Sequence, residues 1–151
     1  MTSISFYHLK TTPLEKALPK LLEKIIGQGL RVHILTESEE QAEALAIQLW
    51  TYHPGSFLPH GTQKDGFLNE HPIFLSPGED NVNDATVLVV VDGRVPEKYT
   101  VYSRVLDMFD ASEDAMIEKA RTRWRFYAQK NIETIYWSQK EDGSWQKMTK
   151  E

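Results

Sequence analysis

Apolar positions along this chain follow two rhythms: short stretches that alternate or run continuously apolar, and longer ones that repeat every three to four residues. The first rhythm predicts β-strands and the second amphipathic helices. Residues 4–9 make the first strand, where Ile4, Phe6 and His8 alternate with Ser5, Tyr7 and Leu9. It is apolar on both sides, as in a strand covered on two faces. In Thr12-Pro13-Leu14-Glu15, Thr12 reads as a helix N-cap, Pro13 as the first helical residue and Glu15 as the capping-box partner. The helix that follows gathers Leu14, Ala17, Leu18, Leu21, Leu22, Ile25 and Ile26 on one face, with Gly27 and Gly29 to stop it. Pro19 removes one backbone donor here, so it either kinks the helix or marks its true start.

A second strand is expected over residues 31–36, followed by a capping box in Ser38-Glu39-Glu40-Gln41. Its helix runs to about Trp50 and buries Ala42, Leu45, Ala46 and Leu49. Residues 51–70, rich in Pro, Gly and His, read as loop. Further strands are expected over 73–75, 86–91 (a central one), 102–108 and 134–137, with a long helix from Asp110 or Ser112 to about Lys130. Strands alternating with helices imply βαβ units. The expected fold is a single Rossmann-like α/β domain over residues 1–140, its mainly parallel sheet flanked by helices on both faces. Residues 141–151 are polar, a tail or a short edge strand.

In such a fold a nucleotide would sit at the loop after the first strand. Here that loop is Lys10-Thr11-Thr12-Pro13, without glycine, and no phosphate-binding loop occurs anywhere in the sequence. No cofactor is expected. His8, His33, His53, His60 and His71 form no metal-ligand signature, and a triad of Ser56, His60 and Asp65 would lack a nucleophile elbow. No catalytic constellation stands out. The rival reading is an enzyme with an unrecognised nucleotide or metal site, for which Asp80, Asn81, Asn83 and Asp84 are the oxygen donors; the same residues are ordinary turn formers.

Composition narrows the class. The 151 residues suffice for one domain with its own core, and no apolar run approaches the ~18–20 residues of a membrane span. The start lacks a signal-peptide pattern, and a cytoplasmic protein is expected. Without cysteine there are no disulfides or thiolate metal sites. The net charge of −5 argues against a dedicated duplex-DNA binder but leaves room for a local basic patch.

That patch lies between Ile117 and Lys130, where five basic residues face one acid. At 100° per residue, Met116, Ala120, Trp124 and Tyr127 share the face expected to meet the sheet. Arg121 and Arg125 project beside Trp124, while Lys119, Arg123, Phe126 and Lys130 fall towards the other side. Two arginines beside an aromatic suit a ligand with carboxylates and one apolar group. A solvated basic helix, or a surface that stacks single-stranded bases, would have the same composition. A second segment, from Leu49 to Gly61, carries Trp50, Tyr52 and Phe57 between prolines; these rings either return to the core or form an apolar patch for a partner.

Taken in order, several segments resemble the chi subunit family of DNA polymerase III. They are Phe6-Tyr7, Arg31-Val32, Leu49-Trp50, Ser56-Phe57-x-Pro59-His60, Ala120-Arg121-x-Arg123-Trp124-Arg125-x-Tyr127 and the late Trp137. The resemblance implies a non-catalytic subunit in DNA replication, linking the clamp loader to the acidic C-terminal tail of single-stranded-DNA-binding protein, which ends in Pro-Phe. It places the tail contact at Arg121, Trp124 and Arg125, with Lys119 as an added cation. Trp124 stands where Tyr is common in the family, Arg125 where Lys is common, and Ile117 where the family has a lysine. It assigns Trp50, Phe57, Pro59 and His60 to the psi subunit or another clamp-loader component. A repair helicase is a further family partner, and single-stranded DNA would be met only indirectly.

Overall fold

The computed structural model describes residues 2–51, 60–66, 70–110 and 113–148, and among these eight strands form one sheet. The elements in chain order are β1 (Ser3–Leu9), α1 (Leu14–Gly27), β2 (Val32–Leu35), α2 (Glu39–Thr51), β3 (His60–Thr62), β4 (Ile73–Ser76), β5 (Val87–Val90), β6 (Arg104–Asp110), α3 (Asp114–Gln129), β7 (Glu133–Gln139) and β8 (Trp145–Met148). The strands are ordered β3-β4-β2-β5-β6-β1-β7-β8. All neighbours are parallel except β7 and β8, which pair antiparallel.

The sheet has a core on each face. One gathers Tyr7, Leu9, Val32, Ile34 and Leu106 with the apolar faces of α1 and α2. The other gathers Ile4, Phe6, Leu88, Val105 and Phe109 with Ala120 and Tyr127 of α3. The alternation in β1 sets this up: Ile4 and Phe6 point to one side, Tyr7 and Leu9 to the other. The α/β class and the mainly parallel sheet are therefore as expected, and β5 does lie near the sheet's centre.

Several local expectations change. Thr12 does not cap α1; Pro13 holds the N-cap position with no side-chain hydrogen bond. The helix starts at Leu14 and runs through Pro19, which is buried. Its end is a Schellman turn, with Gly29 N–H donating to Ile26 and Leu30 N–H to Ile25. Gly29 takes φ +80° there, the left-handed value that this motif requires. Helix α3 ends the same way, with Asn131 at φ 60° in the glycine's place. Its N-cap is Glu113; Asp110 still belongs to β6, and Ser112 lies outside the described residues.

Ser38 caps α2 as expected, but the return bond of the box goes to Glu37 rather than to Ser38. Gln41 N–H donates to Ser38 Oγ, and the Gln41 side chain accepts from Glu37 N–H. Ala42, Leu45, Ala46 and Leu49 are buried, as their spacing predicts. The stretch read as loop contains the parallel edge strand β3 and a 3-10 turn over Gln63–Asp65. Its period was hidden because a three-residue strand of His, Gly and Thr has no apolar signature.

Candidate functional site: the basic face of the last helix

Helix α3 lies across β6, β1 and β7 with Ala120, Arg123 and Tyr127 buried. Trp124 is half-buried. Its ring packs on Phe6 at 5.6 Å between centroids and on Tyr136 at 5.9 Å. Tyr136 is fixed in turn by a 2.5 Å hydrogen bond between its hydroxyl and His8 Nδ1. Burial pushes the Tyr136 phenol up, and the nearby charge of Arg121 pulls it back. The indole is thus held from behind by strands β1 and β7.

The outer edge of Trp124 lines an open groove of 460 Å³ together with Arg121, Arg125, Ala128 and Gln129. Arg121, Trp124, Arg125 and Ala128 sit at helical spacing on one face. Ala128 leaves room beside the ring where a larger side chain would fill the groove. Arg121 donates from Nη1 to Glu118 Oε2 at 2.8 Å, in a pair more than half exposed at both ends. Such a pair is easily exchanged for another carboxylate, because exposed ion pairs contribute only ~0–1 kcal/mol.

Lys119 and Arg123 are elsewhere. Both line a crevice of 330 Å³ at the C-terminal ends of β1, β5 and β6, with Leu9, Val91 and Met108. Arg123, expected away from the sheet-facing side of α3, is buried. Its guanidinium donates to both oxygens of Asp107, at 2.6 Å and 3.0 Å, and to the Gly93 carbonyl at 3.1 Å. Two features of the sequence pointed there: a lone carboxylate inside the apolar run of β6, and the spacing of Arg123 between Ala120 and Tyr127. With Arg123 paired to Asp107, the basic face offers less free charge than its composition suggests. Met116, expected against the sheet, is 41% exposed.

The crevice lies where sheet connections diverge, the usual ligand position in nucleotide-binding α/β folds. The loop after β1 serves another purpose. Gln139 Oε1 accepts from the amides of Lys10, Thr11 and Thr12 at 3.0, 2.8 and 3.2 Å, and Gln139 Nε2 donates to Thr12 Oγ1 at 2.8 Å. Donors that would face a phosphate are engaged by a side chain from β7. Of the suggested oxygen donors, Asn81 closes a turn on both polar groups of Ala85, and Asn83 Nδ2 donates to the Val32 and His71 carbonyls. Among the described residues, no three His, Cys, Asp or Glu gather to hold a metal. His60 contacts the Ala46 carbonyl through Nε2, and Asp65 accepts from the Thr62 amide; Ser56 lies outside the described residues.

The second surface centres on Trp50, 60% exposed at the end of α2, with its ring 4.4 Å from that of buried His60. Ile47, one turn earlier, is 61% exposed. The two make an apolar patch on the outer side of α2. Phe57 and Pro59 lie outside the described residues.

A family model described as DNA polymerase III chi subunit, HolC, matches residues 1–134. The chain belongs to the DNA polymerase III chi subunit family. It is 31% identical over 121 residues to the Rickettsia prowazekii protein named "Probable DNA polymerase III subunit chi", covering 76% of this chain and 73% of that one. It is 28% identical over 116 residues to DNA polymerase III subunit chi of Haemophilus influenzae, covering 76% and 80%. Against the Escherichia coli subunit chi it is 30% identical over 112 residues, covering 72% and 76%. Membership places this chi-family chain among the subunits of a DNA polymerase that acts in replication. No helix among its described residues is long and apolar enough to cross a membrane.

Proposed function

We propose that this chain is a non-catalytic adaptor of DNA polymerase III, joining the clamp loader, through a psi subunit or an equivalent, to the acidic C-terminal tail of single-stranded-DNA-binding protein. The observation that carries this reading is the groove in which Arg121 and Arg125 flank the fixed edge of Trp124. A terminal phenylalanine packs against the indole beside Ala128, and the terminal and acidic carboxylates pair with the two guanidiniums. Lys119, exposed two residues before Arg121, lines the neighbouring crevice and adds its charge from that side. The apolar patch of Ile47 and Trp50 supplies the clamp-loader side, on another helix and another face of the sheet.

The contact is charge pairing at a surface, so it weakens as salt rises. The test is fluorescence anisotropy of a labelled acidic peptide ending in Pro-Phe, titrated with the native chain and with Arg121→Ala/Arg125→Ala. Each arginine is expected to contribute about 1–3 kcal/mol of binding. Undiminished binding by the folded double variant would remove the tail from this groove.

A further inference from the structure

On the opposite face of the sheet from α3, a row of cations runs beside a cluster of aromatic rings. Lys16, Lys20 and Lys24 recur every four residues along α1, all exposed. They share one side of the helix over about 12 Å. None of the three, nor Arg104, has an ion-pair partner among the described residues. Beside this row stand Tyr7, Trp137 and Trp145. Trp137 stacks on Tyr7 with the planes 12° apart and centroids at 6.1 Å, and Trp145 meets Tyr7 edge-on at 5.0 Å.

Both tryptophans are half-exposed. Trp145 is the wall between two adjoining cavities. One, of 410 Å³, is lined by Lys16, Lys20 and Gln139 among others; the next, of 160 Å³, by Lys24, Arg104 and Trp137. Four cations line the pair against two carboxylates, Glu15 and Asp142, both in the first cavity. Asp142 is engaged by Ser144, through its hydroxyl and its amide. The tryptophans come from the β7–β8 hairpin, beyond residues 1–134 that match the family.

We propose that this face is a track for single-stranded nucleic acid, separate from the α3 groove, with bases against Trp137 and Trp145 and phosphates along Lys20, Lys24 and Arg104. A cationic row beside aromatic platforms is how sequence-tolerant single-strand binding is built, since every base offers a flat face and every linkage a charge. A duplex keeps its bases stacked on one another and cannot use the indoles. An acidic peptide would satisfy the lysines but has no ring recurring with each charge.

The test is anisotropy of a fluorescein-labelled oligothymidylate with the full chain at low ionic strength, comparing native protein, Trp145→Ala, Lys20→Glu/Lys24→Glu and Arg121→Ala/Arg125→Ala. Circular dichroism and urea midpoints confirm that each variant is folded. The expected result is saturable binding that salt weakens. Trp145→Ala and the lysine variant should each reduce it about five-fold or more, the α3 variant not at all. No binding by the native chain overturns the track, as does binding that survives both hairpin-face variants or that only the α3 variant abolishes. Displacement of the oligonucleotide by an acidic peptide whose own binding is lost in Lys20→Glu/Lys24→Glu would make this a peptide site instead.

Discussion

Arg123 and Asp107 meet with two nitrogens on two oxygens, Nε to Oδ2 and Nη2 to Oδ1, and both side chains are shut away from solvent. This contact pins α3 to β6. A third bond, to the Gly93 carbonyl, adds the turn after β5. The groove of Arg121, Trp124 and Arg125 is carried on the helix so fixed, with Trp124 directly following Arg123. Burial pushes the Asp107 carboxyl up, and the hydrogen bonds and charge of Arg123 oppose that push.

Arg123→Ala leaves that carboxylate buried and unpaired, and a loss of about 3–5 kcal/mol is expected in urea denaturation. Replacing both partners, Arg123→Met with Asp107→Leu, is expected to recover most of it, because no buried charge is then stranded. If the single and double variants were equally destabilised, packing rather than charge pairing would account for the site.

Glu118 competes for Arg121. The carboxylate lies 2.8 Å from Nη1, so it offsets part of the charge that Arg121 presents to an acidic ligand. Glu118→Gln is expected to tighten binding of the acidic peptide about two- to five-fold at low salt, from the ~0.2–1 kcal/mol of an exposed pair. The gain should shrink as ionic strength rises. Titrations of both proteins at two salt concentrations measure this directly; equal affinities would mean Arg121 does not touch the ligand.

His33 gives the fold an acid limit. It is wholly buried in β2, with Nδ1 3.1 Å from Tyr102 Oη and Nε2 3.1 Å from Ser76 Oγ. Burial, aided by the charge of Arg94 and opposed by Asp80, lowers its pKa to about 4. In the unfolded chain the value returns to about 6.5. Between these values the unfolded state binds more protons, so this contribution is complete above about pH 6.5 and is lost as pH falls towards 4. It amounts to roughly 3 kcal/mol. His8 is depressed as well, first by burial, and acts in the same direction. Urea midpoints from pH 7 to 4 should fall steeply for the native chain, and His33→Gln should flatten that slope; an unchanged slope would assign the acid sensitivity to other groups.

Much of the architecture was legible because strand and helix periods are local. The β1 alternation, the Ser38 cap, the buried stripe of α2 and the apolar run of β5 each depend on residues a few positions apart, and each is realised. The place of Arg121, Trp124 and Arg125 on one helical face follows from the same arithmetic. The edge strand β3 was not legible. Strand β3 has too few residues to show a period, and its backbone is ordered by β4, thirteen residues further along.

The sequence by itself determined the order of elements, the basic helix and the buried stripes of α1 and α2, since near neighbours along the chain decide these. Tertiary structure alone decided which charges remain available and which amides are satisfied. Arg123 looks like its neighbours Arg121 and Arg125 in sequence, yet it is neutralised by a residue sixteen positions away. Thr12 looks like a helix cap, yet its hydroxyl and amide turn to Gln139, 127 residues on. A polar group satisfies itself with whatever partner folding brings within 3 Å, and that partner is set by how strands stack side by side, which no local pattern encodes.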